Sequence, residues 1–205
     1  MSARQAQQVQ PAGSDRPLAE AYRSLRSTVK FATGERPIRS VLVVDLDRDE
    51  RSAVAEQLAT AFAEAGDHCV LIDTDSRGGG ERTLGFFDLL RGGESVASVV
   101  NPGGGNLMRL GPGQSGTPDA LAGDALTSAL DGLIEAHGLA VLSSAPLPRY
   151  ADALAIASRV DAVILVVTSG ETRRPKAVDA RDALERVGSR ILGVVMVEPK
   201  KRWFW

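Results

Sequence analysis

Short apolar runs recur along the chain, and segments with helical periodicity separate them. The apolar runs share a high content of Val, Ile and Leu, and they predict strands over residues 38–44, 68–72, 107–110, 139–142, 162–167 and 191–197. The helical periodicity predicts helices over residues 18–31, 51–65, 84–90, 119–137, 151–160 and 175–187. Strands that are apolar on both faces and alternate with helices are typical of a parallel sheet covered on both sides.

This alternation predicts one α/β domain over residues 18–199, a three-layer, doubly wound and mostly parallel sheet. No segment repeats and no linker divides the chain. Residues 1–17 are polar, and we expect a disordered N-terminal tail there, while residues 200–205 (KKRWFW) form a basic, aromatic C-terminal tail. Ligands of such sheets bind beyond the carboxyl ends of the strands, so those ends are the candidate site.

Composition excludes several classes of function. The 205 residues carry a formal net charge of −2, which provides no basic footprint for nucleic acid. The single cysteine, Cys69, lies within a predicted strand, where a buried thiol is the expected reading and a reducing compartment suits it. No apolar run approaches the roughly 20 residues that span a bilayer, and no signal peptide is expected. These features predict a cytoplasmic protein.

The turn after the first strand is unusually acidic. The stretch VVDLDRDERSAVAEQLA places four carboxylates there, Asp45, Asp47, Asp49 and Glu50, with no glycine and no lysine. Carboxylates at the N-terminus of a helix stabilise it, so a helix-capping role is one interpretation. Cation binding is the alternative, but the 12-residue calcium pattern with its central glycine is missing. We therefore predict no metal site.

Four segments in order resemble one family. They are EAYRSLR (residues 20–26), VLIDTDSR (70–77), YADALAIASRVDAVILVVTSGETRR (150–174) and ERVGSRILGVVMV (185–197). Residues 18–199 are similar, through these segments, to the cytoplasmic kinase domain of the bacterial tyrosine kinases of capsule and exopolysaccharide assembly. That family belongs to the P-loop NTPase class, together with the cell-division and partition ATPases. The resemblance implies a P-loop NTPase-like fold.

The resemblance also implies that several nucleotide-binding residues have been replaced. Arg51 stands at the phosphate-loop lysine and Glu50 at a loop glycine, whereas Ser52 keeps a hydroxyl at the position that binds Mg²⁺. Ser143 stands at the Walker B aspartate, and Val197 at the asparagine that contacts adenine. Acids in the loop would also repel ATP, because two like charges about 4 Å apart cost roughly 4 kcal/mol at an effective dielectric near 20.

Other family residues are retained. The resemblance implies a role with Mg²⁺ and the attacking hydroxyl for Asp73 and Asp75, and a place in the nucleotide site for Arg77. It also implies that the helix carrying Glu20, Arg23 and Arg26 packs against a neighbouring subunit. Packing and hydrogen bonding at the end of a strand is the structural alternative for Asp73 and Asp75, and a solvated charged face is the alternative for the helix.

We therefore predict a catalytically inactive scaffold or regulator of polysaccharide export, with weak or no ATP binding and no cofactor. The alternative is an active tyrosine kinase with a rearranged site, which would need ATP and Mg²⁺. A partition-type ATPase shares the fold, but the motif of residues 20–26 argues against it. Whichever holds, the expected partners include a second copy of the chain or a homologous kinase.

The C-terminal tail lacks the tyrosine cluster of the family and carries Trp203, Phe204 and Trp205 beside basic residues. Its aromatics are expected either to pack on their own domain or to dock on a partner or membrane surface. The cytoplasmic segment of a membrane polysaccharide co-polymerase is a further expected partner. These features predict a location at the inner face of the cell membrane.

Overall fold

The structure is a computed structural model that describes residues 15–32, 37–47, 53–77, 83–114 and 116–199. Glu50, Arg51 and Ser52 of the predicted nucleotide site and the aromatic residues 203–205 lie outside these ranges. The helices are α1 (Asp15–Lys30), α2 (Ala53–Glu64), α3 (Phe86–Arg91), α4 (Val96–Val99), α5 (Asp124–His137), α6 (Asp152–Ala157) and α7 (Arg174–Arg186). The strands are β1 (Ser40–Asp45), β2 (Cys69–Asp73), β3 (Asn101–Gly104), β4 (Leu107–Leu110), β5 (Leu139–Ser143), β6 (Ala162–Thr168) and β7 (Ile191–Val197).

These seven strands of the described residues form one sheet in the order β3-β4-β2-β5-β1-β6-β7. All neighbouring pairs are parallel except β3 and β4, which are antiparallel. In the register, Ser143 lies opposite both Asp73 of β2 and Val43 of β1, and Asp45 lies opposite Val166 of β6. The carboxyl ends of β2 and β5 are therefore level with each other, and β1 extends two residues further at the same edge of the sheet.

Helices cover both faces of the sheet, which confirms the predicted three-layer α/β fold. On one face, α3, α5, α6 and α7 enclose a core that includes Phe86, Leu133 and Leu142. On the other face, α1 and α2 pack against alternate strand residues such as Val141. Cys69 is fully buried in β2, and burial raises the pKa of its thiol to about 12, so this thiol is inert as predicted from its place in a strand.

The structure corrects the predicted helix over residues 119–137. A short 3₁₀ turn, Pro118–Leu121, precedes α5, and the extended Gly123 (φ −84°, ψ 170°) separates the two. The helical apolar spacing continues through both segments, but glycine lowers the cost of leaving the helical conformation at this point.

The structure also adds an element that periodicity does not predict. Strand β3 has the sequence NPGG and pairs with β4 as an antiparallel edge strand. It contains no apolar residue that alternates with polar ones, and proline and glycine normally argue against a strand. Proline is tolerated at a sheet edge because its missing N–H is not needed there.

The segment after β4 packs closely on the start of α3 and on the turn after β2. Phe86 N–H donates to the Gly111 carbonyl at 2.9 Å, and Gly116 N–H donates to the Ser76 carbonyl at 3.0 Å. A Cβ atom on Gly85 would lie 2.2 Å from the backbone nitrogen of Gly113, so only glycine fits there. These contacts fix the position of the turn that follows Asp73.

We expect Leu142→Ala to lower the free energy of unfolding by about 2–5 kcal/mol, because Leu142 is fully buried in the centre of the sheet. Urea titration followed by circular dichroism measures the change. Leu84→Ala is the matched control, since Leu84 is 43% exposed and its truncation should cost less than about 1 kcal/mol. Equal losses for the two variants would contradict the assigned core.

Candidate functional site

Three polar residues end the adjacent strands β1, β2 and β5. Asp45, Asp73 and Ser143 are the last residues of these strands, and β5 lies between the other two. Strand side chains alternate between faces, and all three residues continue the alternation that faces α1 and α2. Asp45 and Ser143 are buried, and Asp73 is half-buried. The carboxylates therefore lie on the face of the sheet from which α2 follows β1.

The turn after β2 is fixed by hydrogen bonds to its neighbours. The N–H and the hydroxyl of Thr74 both donate to the Ser143 carbonyl, each at 2.9 Å. Asp75 N–H donates to Asp73 Oδ1 at 3.2 Å, and Ser76 N–H donates to Oδ2 of the buried Asp152 at 3.0 Å. The ends of β2 and β5 and the start of α6 therefore form one hydrogen-bonded unit.

Asp75 and Arg77 form an ion pair within this turn. Arg77 Nε donates to both carboxylate oxygens of Asp75, at 2.8 Å and 3.0 Å. Burial alone would raise the pKa of Asp75, but the hydrogen bonds and charge of Arg77 outweigh burial and lower that pKa. The same hydrogen bonds raise the pKa of Arg77. The carboxylate is consequently ionised at neutral pH and paired within the protein.

Arg77 also contacts Tyr150, which sequence reasoning did not assign to the site. The Arg77 guanidinium carbon lies 4.7 Å from the centre of the Tyr150 ring, and Nη1 lies 3.4 Å from the phenolic oxygen. The guanidinium carbon of Arg149 is 5.5 Å from the same ring centre. Two arginines thus contact one tyrosine at the rim of the strand ends, by cation–π attraction.

Asp47 connects the acidic turn after β1 to the beginning of α7. Its carboxylate accepts hydrogen bonds from the Thr172 hydroxyl and from Lys176 Nζ, the latter at 2.9 Å. Burial favours a higher pKa for Asp47, but these two hydrogen bonds and the Lys176 charge lower it. These two partners of Asp47 lie just before α7 (Thr172) and within α7 (Lys176). The predicted capping of α2 falls on residues 48–52, outside the described residues, and stays a prediction. Asp49 lies outside the described residues.

The predicted assembly residues lie on α1. Arg23 Nη1 and Glu20 Oε2 are 3.0 Å apart, and both side chains are largely exposed. Arg26 is half-buried, and its buried Nε has no hydrogen-bond acceptor among the described residues. The larger apolar side chains of α1 are only partly covered. Tyr22, Leu25 and Val29 pack on the domain, while Leu18 is 53% exposed.

Val197 ends β7, opposite Thr168 of β6. Its carbonyl accepts a hydrogen bond from Ser169 N–H at 2.8 Å, and its side chain packs against the apolar layer under α1 and α2. An aliphatic side chain cannot form the base-recognition hydrogen bond that the resemblance assigns to an asparagine at this position.

The structure therefore brings Asp73, Asp75, Arg77 and Ser143 together and leaves the residues of α1 on a separate surface layer. Sequence reasoning missed Tyr150 and the partners of Asp47. Thr172 and Lys176 are 125 and 129 residues away from Asp47, so no local pattern signals their contact. Among the described ranges, no group of three His, Cys, Asp or Glu side chains is arranged to hold a metal ion. None of the helices in the same ranges is long and apolar enough to cross a membrane.

Comparison with known proteins identifies relatives of the chain. No protein-family model matches it. Tyrosine-protein kinase YwqD of Bacillus subtilis is 26% identical over 189 residues, which cover 87% of this chain and 80% of YwqD. Tyrosine-protein kinase CpsD of Streptococcus agalactiae is 25% identical over 190 residues, which cover 86% of this chain and 82% of CpsD. The homologues of this chain are therefore bacterial tyrosine-protein kinases.

Solved structures support the same fold. The chimerical protein CapA2B2 superposes with a TM-score of 0.79 at 22% identity, covering 90% of this chain and 86% of that one. The kinase domain of Escherichia coli tyrosine kinase ETK also reaches 0.79, at 20% identity and 91% and 78% coverage. A plasmid partition protein from Borrelia burgdorferi is more distant, with a TM-score of 0.57 at 13% identity and 80% and 82% coverage. This chain therefore has a P-loop NTPase-like fold.

We expect Asp47→Asn to lower the free energy of unfolding by about 1–2 kcal/mol at neutral pH, because charge-assisted hydrogen bonds to Thr172 and Lys176 are weakened. The lowered pKa of Asp47 means that its stabilisation is present above the unfolded value, near 3.9, and is lost as pH falls through the folded value. Urea titrations at about pH 7 and about pH 3 should show the variant and the parent converging at the lower pH.

Asp131→Asn is the control for this titration, since Asp131 is an exposed carboxylate on α5. Its difference from the parent should stay within about 0.5 kcal/mol at both pH values. If Asp47→Asn lowers the free energy of unfolding equally at both pH values, the proposed electrostatic interaction of Asp47 with Lys176 is wrong.

Proposed function

We propose that the chain is a catalytically inactive member of the bacterial tyrosine kinase fold, a scaffold or regulator in capsular or exopolysaccharide biosynthesis and export. The observation that carries this proposal is Ser143. It is buried at the end of β5, directly opposite Asp73, at the position where the resemblance places the Walker B aspartate.

A serine at this position supplies little of what phosphoryl transfer needs. The Walker B carboxylate helps to hold Mg²⁺, which neutralises charge developing on the transferred phosphate. Magnesium prefers carboxylate and water oxygens, and a neutral hydroxyl provides no charge to compensate that of the cation. Asp73 and Asp45 remain at neighbouring strand ends, but the acid between them is missing.

The surrounding charges also favour a non-catalytic role. Asp75 is already paired with Arg77, and Asp47 is paired with Lys176. These cations are engaged by carboxylates of the protein, so binding a phosphate would require breaking an existing ion pair. At the phosphate-loop lysine position that the resemblance makes essential, the sequence has Arg51, and an arginine fork does not reproduce a lysine point charge.

The surface of α1 supports assembly. Glu20 and Arg23 present their charges to solvent, and Arg26 holds a buried Nε with no acceptor among the described residues. The exposed charges of Glu20 and Arg23 are open to opposite charges on a neighbouring subunit. We infer that α1 binds a second copy of the chain or a homologous kinase, as the resemblance to the kinase family implies.

The proposed place of action is the inner face of the cell membrane, beside the cytoplasmic segment of a membrane polysaccharide co-polymerase. The basic and aromatic composition of residues 200–205 supports a peripheral contact, because aromatic rings beside lysine and arginine favour a membrane interface. Trp203 and Trp205 would supply that contact. In this role the chain organises other components and needs no cofactor.

An active tyrosine kinase is the second candidate. Two observations favour it: the relatives are named tyrosine-protein kinases, and Asp73 and Asp75 are retained at the end of β2. In that case ATP and Mg²⁺ would bind at the strand ends, with Arg51 acting in place of lysine.

Calorimetric titration with Mg·ATP separates the two candidates. We expect no heat beyond dilution, which corresponds to a dissociation constant weaker than about 1 mM, because a Walker B carboxylate is missing at Ser143. YwqD, titrated in parallel, is the positive control. Micromolar binding, or ATP-dependent phosphotyrosine on the pure chain that Asp73→Asn abolishes, would overturn the inactive scaffold in favour of the kinase.

Charge reversal on α1 tests assembly. We expect Arg23→Glu with Arg26→Glu to give a folded monomer, because both side chains lie on the proposed contact face. Light scattering measures the mass, and circular dichroism checks the fold. Arg181→Glu with Arg186→Glu reverses two exposed charges on α7, away from α1, and should leave the mass of the parent unchanged. A parent that is itself monomeric, or a mass unaffected by the first pair, would exclude self-association through α1.

A further inference from the structure

Tyr150 occupies a surface segment that connects the candidate site to solvent. It lies between β5 and α6, where residues 144–151 belong to no helix or strand of regular length. Its ring is half-buried, and the flanking Pro148, Arg149 and Ala151 are exposed. The chain contains only two tyrosines, so Tyr150 is one of two side chains able to accept a phosphate on a phenol.

We propose that Tyr150 is a phosphorylation site for a separate ATP-dependent tyrosine kinase, and that Arg77 and Arg149 hold the resulting phosphate. In the reaction the Tyr150 phenolic oxygen forms a bond to the γ-phosphorus of ATP. The bond between that phosphorus and the β,γ-bridging oxygen breaks, ADP leaves, and the phenolic proton passes to the base of the kinase or to solvent.

The two arginines are placed to bind this phosphate. Arg77 Nη1 is 3.4 Å from the phenolic oxygen, and both guanidinium groups lie over the ring, at 4.7 Å and 5.5 Å from its centre. A phosphate on the phenol would add about −1.5 to −2 charges and three acceptor oxygens beside these groups. Guanidinium groups bind phosphate oxygens through paired, charge-assisted hydrogen bonds.

The other tyrosine is much less suited to modification. Tyr22 lies in the middle of α1, where the helix fixes its backbone, and it packs against the apolar layer shared with α2. Burial raises the pKa of its phenol. A kinase must take a tyrosine into its own active site, and an irregular exposed segment is more easily accommodated there than a packed helix. Tyr150 is therefore the favoured acceptor.

Phosphorylation at Tyr150 would change the candidate site itself. Arg77 binds both oxygens of Asp75, and a phosphate on Tyr150 would compete for the same guanidinium. The modification would then loosen Asp75 and with it the turn after β2. A kinase-dependent signal would reach the strand ends without a nucleotide bound there. This inference rests on the proposed function only in requiring a kinase separate from this chain.

Site mapping tests the acceptor. The chain is incubated with Mg·ATP and the kinase domain of ETK or with YwqD, and phosphotyrosine is located by mass spectrometry. We expect label on Tyr150, none on Tyr22, and none on a folded Tyr150→Phe variant. Label confined to Tyr22, or no label while the added kinases phosphorylate themselves, would overturn the proposal. Label on Tyr150 without any added kinase would refute both the inactive scaffold and the separate kinase, and only the choice of Tyr150 as the acceptor would stand.

Phosphorus NMR tests the two arginines without any kinase. The chain is produced with phosphotyrosine encoded at position 150, and the second pKa of its phosphate is measured. We expect a value at least about 0.5 below the usual value near 6, because nearby cations favour the dianion. Arg77→Gln and Arg149→Gln should each return it toward 6, whereas Arg186→Gln, at an exposed arginine on α7, should not. A value near 6 in the parent would exclude the proposed phosphate site.

Discussion

The Ser143 carbonyl holds the candidate site together. It accepts hydrogen bonds from both the N–H and the hydroxyl of Thr74, and it thereby joins the ends of β2 and β5. This contact uses the backbone carbonyl of Ser143 and does not involve its side chain. An aspartate and a serine at this position would offer the same carbonyl, so the fold can persist when the carboxylate is lost. The fold at this edge of the sheet therefore does not depend on a carboxylate at position 143.

The carboxylates near the strand ends likewise do not depend on a bound nucleotide. A buried or half-buried carboxylate is costly without a partner, and a nucleotide site normally provides a metal ion or a phosphate-bound cation. In this chain the protein provides the partners itself, with Arg77 for Asp75 and Lys176 for Asp47. The acids are therefore compatible with a stable apo fold, and the proposed loss of nucleotide binding needs no compensating change elsewhere.

Much of the fold could be predicted, because buried parallel strands carry a strong local signal. The strand ends at Asp73 and Ser143 were expected to meet, since carboxyl ends of parallel strands share one edge. Strand β3 escaped because NPGG has no periodicity, and the break before α5 depended on the conformation of Gly123. The contacts of Asp47 and Tyr150 depend on side chains distant in sequence, so no spacing rule indicates them.

Regulation of a protein that does not bind nucleotide requires another way to change the charge at the strand ends. If no nucleotide binds, ATP hydrolysis cannot change the charge at the strand ends. Phosphorylation of a side chain would then be the remaining reaction that changes this charge by a similar amount. Phosphorylation of Tyr150 would act on the Arg77 guanidinium, because this group contacts both Asp75 and Tyr150. If Tyr150 is phosphorylated as proposed, the cation that it shares with Asp75 would transmit the change to the turn that follows Asp73.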